Sequence, residues 1–452
     1  MTREAFAARL VAGSLALLAW AGGGLAADAA KPNVLILYVD DMGYGQPGCY
    51  GGTLATTPHI DALAAGGMRF TDGYVSACIC SPSRVGLMTG RYQARTGHDA
   101  NGGRPGRELA KSETTLAERM KAAGYATGIV GKWHLGTTSA EYLPTGRGFD
   151  TGVGTTGNLG EGNGPLFYEG GTFIDDLPGA PVTSPVYAEK AAAFIEGHRA
   201  EPWLLYVAFN AVHSPIVATE AALAEFVSLP DRRAREYAAL VRDLDDAVGT
   251  ILGKVHALGL DEQTLVFLIS DNGGANPLAE MGGLRGRKWL VYEGGIRVPF
   301  LARWTGHIPA GTVSHEPVIQ LDVMPTALAA AGRAVDPAWG LDGVDLLPLL
   351  TGRAETLAPR DLFWRFGVQH AVRRGDYKLV KAGLNEPTML VNLKTDPGER
   401  TDLSKAEPEK AAELQAAFDR WDAAMVPPRW EDKRWNDGNQ SPRPRRGQRA
   451  AD

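Results

Sequence analysis

Unbroken apolar runs along the chain alternate with stretches in which apolar residues recur at helical spacing. Residues 33–39 (NVLILYV), 203–209 (WLLYVAF) and 264–269 (TLVFLI) are continuous and β-rich. A strand apolar at every position is buried on both faces, as in parallel sheets covered by helices. Residues 125–130 form a shorter run of this kind, and 68–71 read as a further strand. From 231 to about 258, Leu240, Leu244, Val248, Ile251 and Val255 fall on one face of a long amphipathic helix. Residues 187–198 read as a second helix, and 57–63 as a short one capped at Thr57 with Pro58 behind it. Thr115 with Glu118 three positions on predicts a capping box, on a helix that stops at Gly124. Strands alternating with helices predict an α/β fold: a large mixed, mostly parallel sheet sandwiched by helices.

Residues 137–180, rich in Gly and Thr, show little periodicity and are expected to be loops rimming a pocket. Composition shifts near 354–359. Beyond it, 362–366, 370–374, 377–381 and 389–393 read as short strands about the turn Arg374-Gly375-Asp376, covered by a helix from 408 to about 425. The expected organisation is therefore a catalytic body over 28–360, a small C-terminal α+β subdomain over 361–427 and a basic tail over 428–452. That tail, with Arg434, Arg443, Arg445, Arg446 and Arg449 among Pro, Gly and Asn, reads as solvated or disordered.

Composition narrows the class. The 452 residues are 44% hydrophobic and 22% charged, as in a soluble globular protein too long for one ordinary domain. A formal net charge of −6 gives no basic face for nucleic acid. Arg3 and Arg9, an apolar run over 10–20 and small residues over 22–27 make residues 1–27 a secretory signal, too short and weakly flanked to span a membrane. The expected location is periplasmic or extracellular. Cys49, Cys78 and Cys80 are too few to build a disulfide framework, although Cys49 and Cys78 remain a candidate pair.

The candidate chemistry lies just beyond the predicted strands. Asp40 and Asp41 follow the first, Lys132 and His134 the 125–130 run, His213 the 203–209 run, and Asp271 and Asn272 the 264–269 run. In open α/β sheets that edge is where ligands bind. Cys80-Ser81-Pro82-Ser83-Arg84 reads as a helix start, with Pro82 near the first position and Ser81 able to cap. Free N–H groups there make an anion site, which Arg84 strengthens. Taken alone, these residues also describe an ordinary helix start with a plain thiol.

Residues 80–91, CSPSRVGLMTGR, resemble the sulfatase signature, in which the Cys of Cys-x-Pro-x-Arg is converted after translation to formylglycine. The resemblance continues in Asp40-Asp41 with Gly43-Tyr44-Gly45, in GKWHLG over 131–136, in His213-Ser214-Pro215, in Asp271-Asn272-Gly273-Gly274, and in 284–288, 292–299 and 393–399. It spans Asn33 to about Leu403. It implies an alkaline phosphatase-like fold and hydrolysis of aryl or carbohydrate sulfate monoesters to alcohol and inorganic sulfate. It also implies that Asp40, Asp41, Asp271, Asn272 and the modified Cys80 hold a divalent metal. An all-oxygen set of this kind suits Ca²⁺, with Mg²⁺ the alternative. Arg84, Lys132 and Lys288 would hold the nucleophile or the sulfate. His213 with Lys288 would protonate the leaving alcohol, and His134 would deprotonate the second hydroxyl of the aldehyde hydrate. A formylglycine-generating enzyme would act during maturation. Arg287 and Trp289 depart from the small residues common beside this lysine, and no serine between 148 and 164 matches one that assists the nucleophile in the family. Two rival readings stand beside the sulfatase: a phosphonate or phosphate ester hydrolase on the same scaffold, and a non-catalytic sulfated-glycan-binding protein if Cys80 stays a thiol.

Overall fold

The computed structural model describes residues 31–103, 105–159 and 167–432. The expected signal and the arginines of the tail lie outside them. The strands of the main body are β1 (Asn33–Val39), β2 (Met68–Phe70), β3 (Gly73–Tyr74), β4 (Ala126–Gly131), β5 (Thr151–Thr155), β6 (Phe167–Glu169), β7 (Thr172–Ile174), β8 (Trp203–Ala208), β9 (Thr264–Ser270), β10 (Phe300–Arg303), β11 (Thr312–Ser314) and β12 (Val318–Ile319). Ten of them form one sheet in the order β11-β2-β10-β9-β1-β8-β4-β5-β6-β7, and β3 pairs with β12. The block β9-β1-β8-β4-β5 is parallel, while β10, β6 and β7 join antiparallel. Tyr38 lies opposite both Ala208 and Ile269, so β1, β8 and β9 end at one level and deliver whatever follows them to one edge.

The continuous apolar runs become strands buried on both sides. Val34, Ile36 and Tyr38 of β1 enter one core with the helices Cys80–Thr89, Leu116–Ala122 and Val323–Ala330. Leu35, Leu37 and Val39 enter the other, against Pro58–Ala65, Thr183–Gly197 and Arg232–Ala257. Each such side chain contributes roughly 1.5–3 kcal/mol by leaving water. The long helix buries the stripe read from its sequence, and the Asp231 side chain caps it by accepting from Arg233 N. The capping box at Thr115 and Glu118 forms in both directions, and Gly124 ends that helix region with φ +86°.

Three expectations need correction. Residues 137–180 contain β5, β6 and β7 rather than loops alone. The Gly-rich β5 hides its strand character because Gly154 packs backbone to backbone, where a Cβ would stand 2.0 Å from Gly131 O. Neither expected cap operates: Thr57 Oγ1 donates to the Asp61 side chain instead, and Ile79, not Ser81, is the N-cap of the Cys80 helix, without a side-chain bond. Among the described residues no disulfide joins Cys49, Cys78 or Cys80, so the candidate pair is not made.

A second, antiparallel sheet runs β13 (Asp361–Phe366), β14 (Gln369–Arg374), β15 (Tyr377–Lys381), β16 (Met389–Asn392) in sequence order. The helix Pro408–Ala423 covers one face through Leu414 and Phe418 on Val372, Leu379 and Leu390. The other face sends Leu362, Trp364, Phe366, Ala371 and Val380 into a core with Tyr74, Ile79, Val291 and Tyr292. The chain then packs as far as Trp430, whose ring meets His98 edge to face at 4.7 Å. Among the described residues no helix is long and apolar enough to cross a membrane.

Candidate active site

The common edge gathers the candidate residues. Beyond β1 and β9 the chains stay tied, with Asp271 N donating to Val39 O at 2.8 Å and Asp41 N to Asp271 Oδ1 at 3.1 Å. Asp41 adopts a left-handed backbone, φ 63°, which Asp tolerates better than most residues. One ligand atom each from Asp40, Asp41, Cys80 and Asp271 lies within 4.8 Å of all the others, so the cluster could hold a metal ion. Asn272 belongs with them: its Nδ2 donates to Asp41 Oδ1 at 2.7 Å. Asn272 Oδ1 and Asp40 Oδ1 are buried and accept no hydrogen bond from the described residues. A buried oxygen without a donor is costly, and two of them beside three carboxylates fit a bound cation. The sulfur of Cys80 stands where an oxygen of the modified residue would lie.

Three cations balance the three carboxylates. Arg84 NH2 lies 2.8 Å from Asp271 Oδ2, Lys132 Nζ pairs with Asp40 Oδ2, and Lys288 Nζ lies 2.6 Å from Asp41 Oδ1. Lys288 Nζ also reaches Cys80 Sγ at 3.0 Å. Burial pushes the Asp40 carboxyl up, but Lys132, His213 and Arg84 outweigh it and hold the group well below the usual carboxylate range. Asp271 is pushed up to about 7 by burial and by Asp40. Burial also raises the Cys80 thiol, more than Lys132 and Lys288 lower it. An unmodified Cys80 is therefore a poor thiolate nucleophile at neutral pH.

A sequence model of the sulfatase family matches residues 32–333. The chain belongs to the sulfatase family. A second model, the C-terminal region of N-sulphoglucosamine sulphohydrolase, matches residues 286–420. N-acetylgalactosamine-6-sulfatase of Sus scrofa is 36% identical over 397 residues, covering 80% of this chain and 74% of its own. Arylsulfatase A of Homo sapiens is 35% identical over 454 residues, covering 86% of each. The crystal structure of Ps i-CgsB superposes with a TM-score of 0.80 at 28% identity, covering 89% of this chain and 95% of its own. The chain is thus a sulfuric ester hydrolase on the fold its pattern predicted.

In this sulfatase the two histidines meet the site differently. β4 ends at Gly131, so Lys132 and His134 both lie beyond the strand. His134 has φ 61°, and its N donates to Thr156 O at 2.9 Å. Its Nδ1 is buried without a hydrogen-bond partner among the described residues, and burial, Lys132 and Arg84 push its pKa well down, leaving a neutral ring that can take a proton. His213 is partly exposed at the mouth, with Nε2 3.7 Å from Asp41 Oδ2 and Nδ1 2.7 Å from Ser214 O. The 148–164 stretch, which has no serine, brings Asn158 two residues past Thr156. That side chain is 6% exposed, and its Oδ1 has no partner among the described residues. Ser81 has a different task from capping: its Oγ bonds His98 Nε2 at 2.8 Å, and Asn101 Oδ1 accepts from its N at 3.2 Å.

Proposed function

We propose that this sulfatase is exported and hydrolyses aryl or carbohydrate sulfate monoesters with a formylglycine made from Cys80 and a Ca²⁺ ion. The observation that carries the reading is the buried group of Asp40, Asp41, Asp271 and Asn272 around Cys80, with orphaned oxygens on a hard, all-oxygen ligand set. These residues and an oxygen of the modified residue 80 would hold the metal. When bound, the ion supplies Lewis-acid polarisation of a sulfate oxygen and of the nucleophile. The aldehyde hydrate at position 80 supplies the attacking hydroxyl and a second hydroxyl through which sulfate can later be expelled.

The chain's own groups do the rest. Arg84, Lys132 and Lys288 surround the position with positive charge, which counters charge developing on the transferring group. His213 and Lys288 deliver a proton to the leaving oxygen, and neutral His134 accepts one from the second hydroxyl. The read signal over 1–27 supports export and so a maturation step by a formylglycine-generating enzyme.

The test combines peptide mass with metal removal. We expect the Cys80 peptide of the exported protein to have lost sulfur and two hydrogens and gained one oxygen. We expect chelation to abolish activity and Ca²⁺ to restore it better than Zn²⁺. An unmodified Cys80 in protein that binds sulfated glycans without turnover would establish the non-catalytic reading, and faster cleavage of aryl phosphonates than aryl sulfates the phosphonate one.

A further inference from the structure

Lys288 reaches the site from a loop, whereas Arg84 stands on the Cys80–Thr89 helix and Lys132 just past the end of β4. Lys288 sits in the stretch between β9 and β10, yet its Nζ comes within 3.0 Å of Cys80 Sγ and 2.6 Å of Asp41 Oδ1 at 2% exposure. The next residue, Trp289, has φ 74°, a left-handed backbone that a bulky side chain rarely adopts. Such conformations persist only where the surroundings over-determine them, and they gather at functional sites. At Trp289 the determinants are visible. Its N donates to Cys78 O at 2.9 Å, two residues before the nucleophile position. Its carbonyl accepts from Gln369 Nε2 at 3.0 Å, and Gln369 Oε1 accepts from Val291 N at 3.3 Å.

We propose that Gln369, on the C-terminal sheet, is the positioning residue for Lys288, clasping the Trp289 turn so that the lysine ammonium is held against the nucleophile. The proposal rests on the role given to Lys288 above. Gln369 is wholly buried at the start of β14, and its amide is spent on this one segment. Its polarity is matched at both ends, since a main-chain carbonyl needs a donor and a main-chain N–H needs an acceptor. Neither a flipped amide nor an apolar residue could make both bonds. A neighbour on the same sheet reinforces the grip, because Lys378 Nζ donates to Val291 O at 2.9 Å. The second sheet therefore completes the active site without placing a residue of its own in it.

A double-mutant cycle on an aryl sulfate tests this, with thermal unfolding followed in parallel. We expect Gln369→Leu to lower kcat/KM about tenfold in otherwise wild-type enzyme, and by less than about twofold when Lys288 is already Ala, because a residue acting through Lys288 has nothing left to position. Equal losses in both backgrounds would overturn the proposal and make Gln369 a general packing residue. No loss from Lys288→Ala itself would overturn instead the role of Lys288. Gln369→Glu supplies an independent readout should the Leu variant not fold. A neutral carboxyl can donate to Trp289 O and accept from Val291 N, whereas an ionised one cannot donate. The Glu variant should show a descending limb in kcat/KM as pH rises through the pKa of the introduced carboxyl, absent in wild type. A profile superimposable on wild type would overturn the clasp.

Discussion

Two buried clusters of three acids and three cations lie among the described residues, and they differ in one respect. At the sheet edge Asp40, Asp41 and Asp271 face Arg84, Lys132 and Lys288. Behind the C-terminal sheet Asp72, Glu293 and Glu399 face Arg297, Arg373 and Lys378. Each cluster holds one carboxyl up at about 7, Asp271 by burial and Asp40, Glu399 by burial and Glu293. Perturbed titration therefore does not tell them apart, although it is often taken to mark function. Satisfaction does. In the second cluster every carboxylate oxygen lies within 3.0 Å of a cation or a donor: Asp72 of both arginines, Glu293 of Lys378 and the Tyr74 hydroxyl, and Glu399 of Glu293 N and of Lys378, the last an ion pair in which Oε1 accepts no hydrogen bond. In the first, among the described residues, Asn272 Oδ1 accepts no hydrogen bond, Asp40 Oδ1 has only Arg84 NH2 at 3.7 Å, and Asp41 Oδ2 only His213 at 3.7 Å. A closed network holds a fold together, while an open one is completed by something from outside.

Substitutions in the two clusters should fail in opposite ways. The largest effect on turnover is expected from Cys80→Ala, which removes the nucleophile position from the open cluster and leaves a helix start that accepts alanine. No turnover of a nitrophenyl sulfate should remain, with a circular dichroism spectrum like that of wild type; full activity would end the formylglycine reading. Arg373→Met strikes the closed cluster. It leaves Asp72 and Tyr74 short of a partner in a site where the arginine side chain is 5% exposed. Breaking such a buried pair costs about 3–5 kcal/mol. Denaturant unfolding should register that loss, while kcat per folded molecule changes by less than about twofold. A large fall in kcat at unchanged stability would dissolve the distinction between the clusters.

The same contrast explains what could be read from the chain. Asp40, Asp41, Lys132, His134, His213, Asp271 and Asn272 each follow a buried apolar run, so a pattern that predicts strands also predicts which polar residues share an edge. The long helix and the capping box were legible because their signals are local. The closed cluster was not: Asp72, Glu293, Lys378 and Glu399 come from distant segments, and nothing near any of them marks it as buried. Gln369 reads as an ordinary polar residue at a strand start, and Trp289 as a departure from a motif, until the fold brings them together. The short β6 and β7 were missed because three residues of antiparallel pairing leave no periodicity to detect.

His213 gives the finest test, because it stands at the open cluster's mouth and has two exclusive duties. Its Nδ1 proton goes to Ser214 O, so a neutral ring presents a bare Nε2 that can accept a hydrogen bond but cannot protonate an alcohol. Burial lowers its pKa, more than Asp41 raises it. As an acid His213 must be protonated, and that fraction falls as pH rises through a pKa already below its ordinary value. The kcat/KM for an alkyl or sugar sulfate, a poor leaving group, should therefore decline with rising pH on this limb. A nitrophenyl sulfate, whose alcohol leaves without help, should lack that decline. For the same reason His213→Ala should slow the alkyl sulfate ~10²-fold more than the nitrophenyl ester in single-turnover kinetics, and erase the difference between their pH profiles. Equal slowing of both esters would assign His213 to sulfate binding, and unchanged rates on both would return it to the surface.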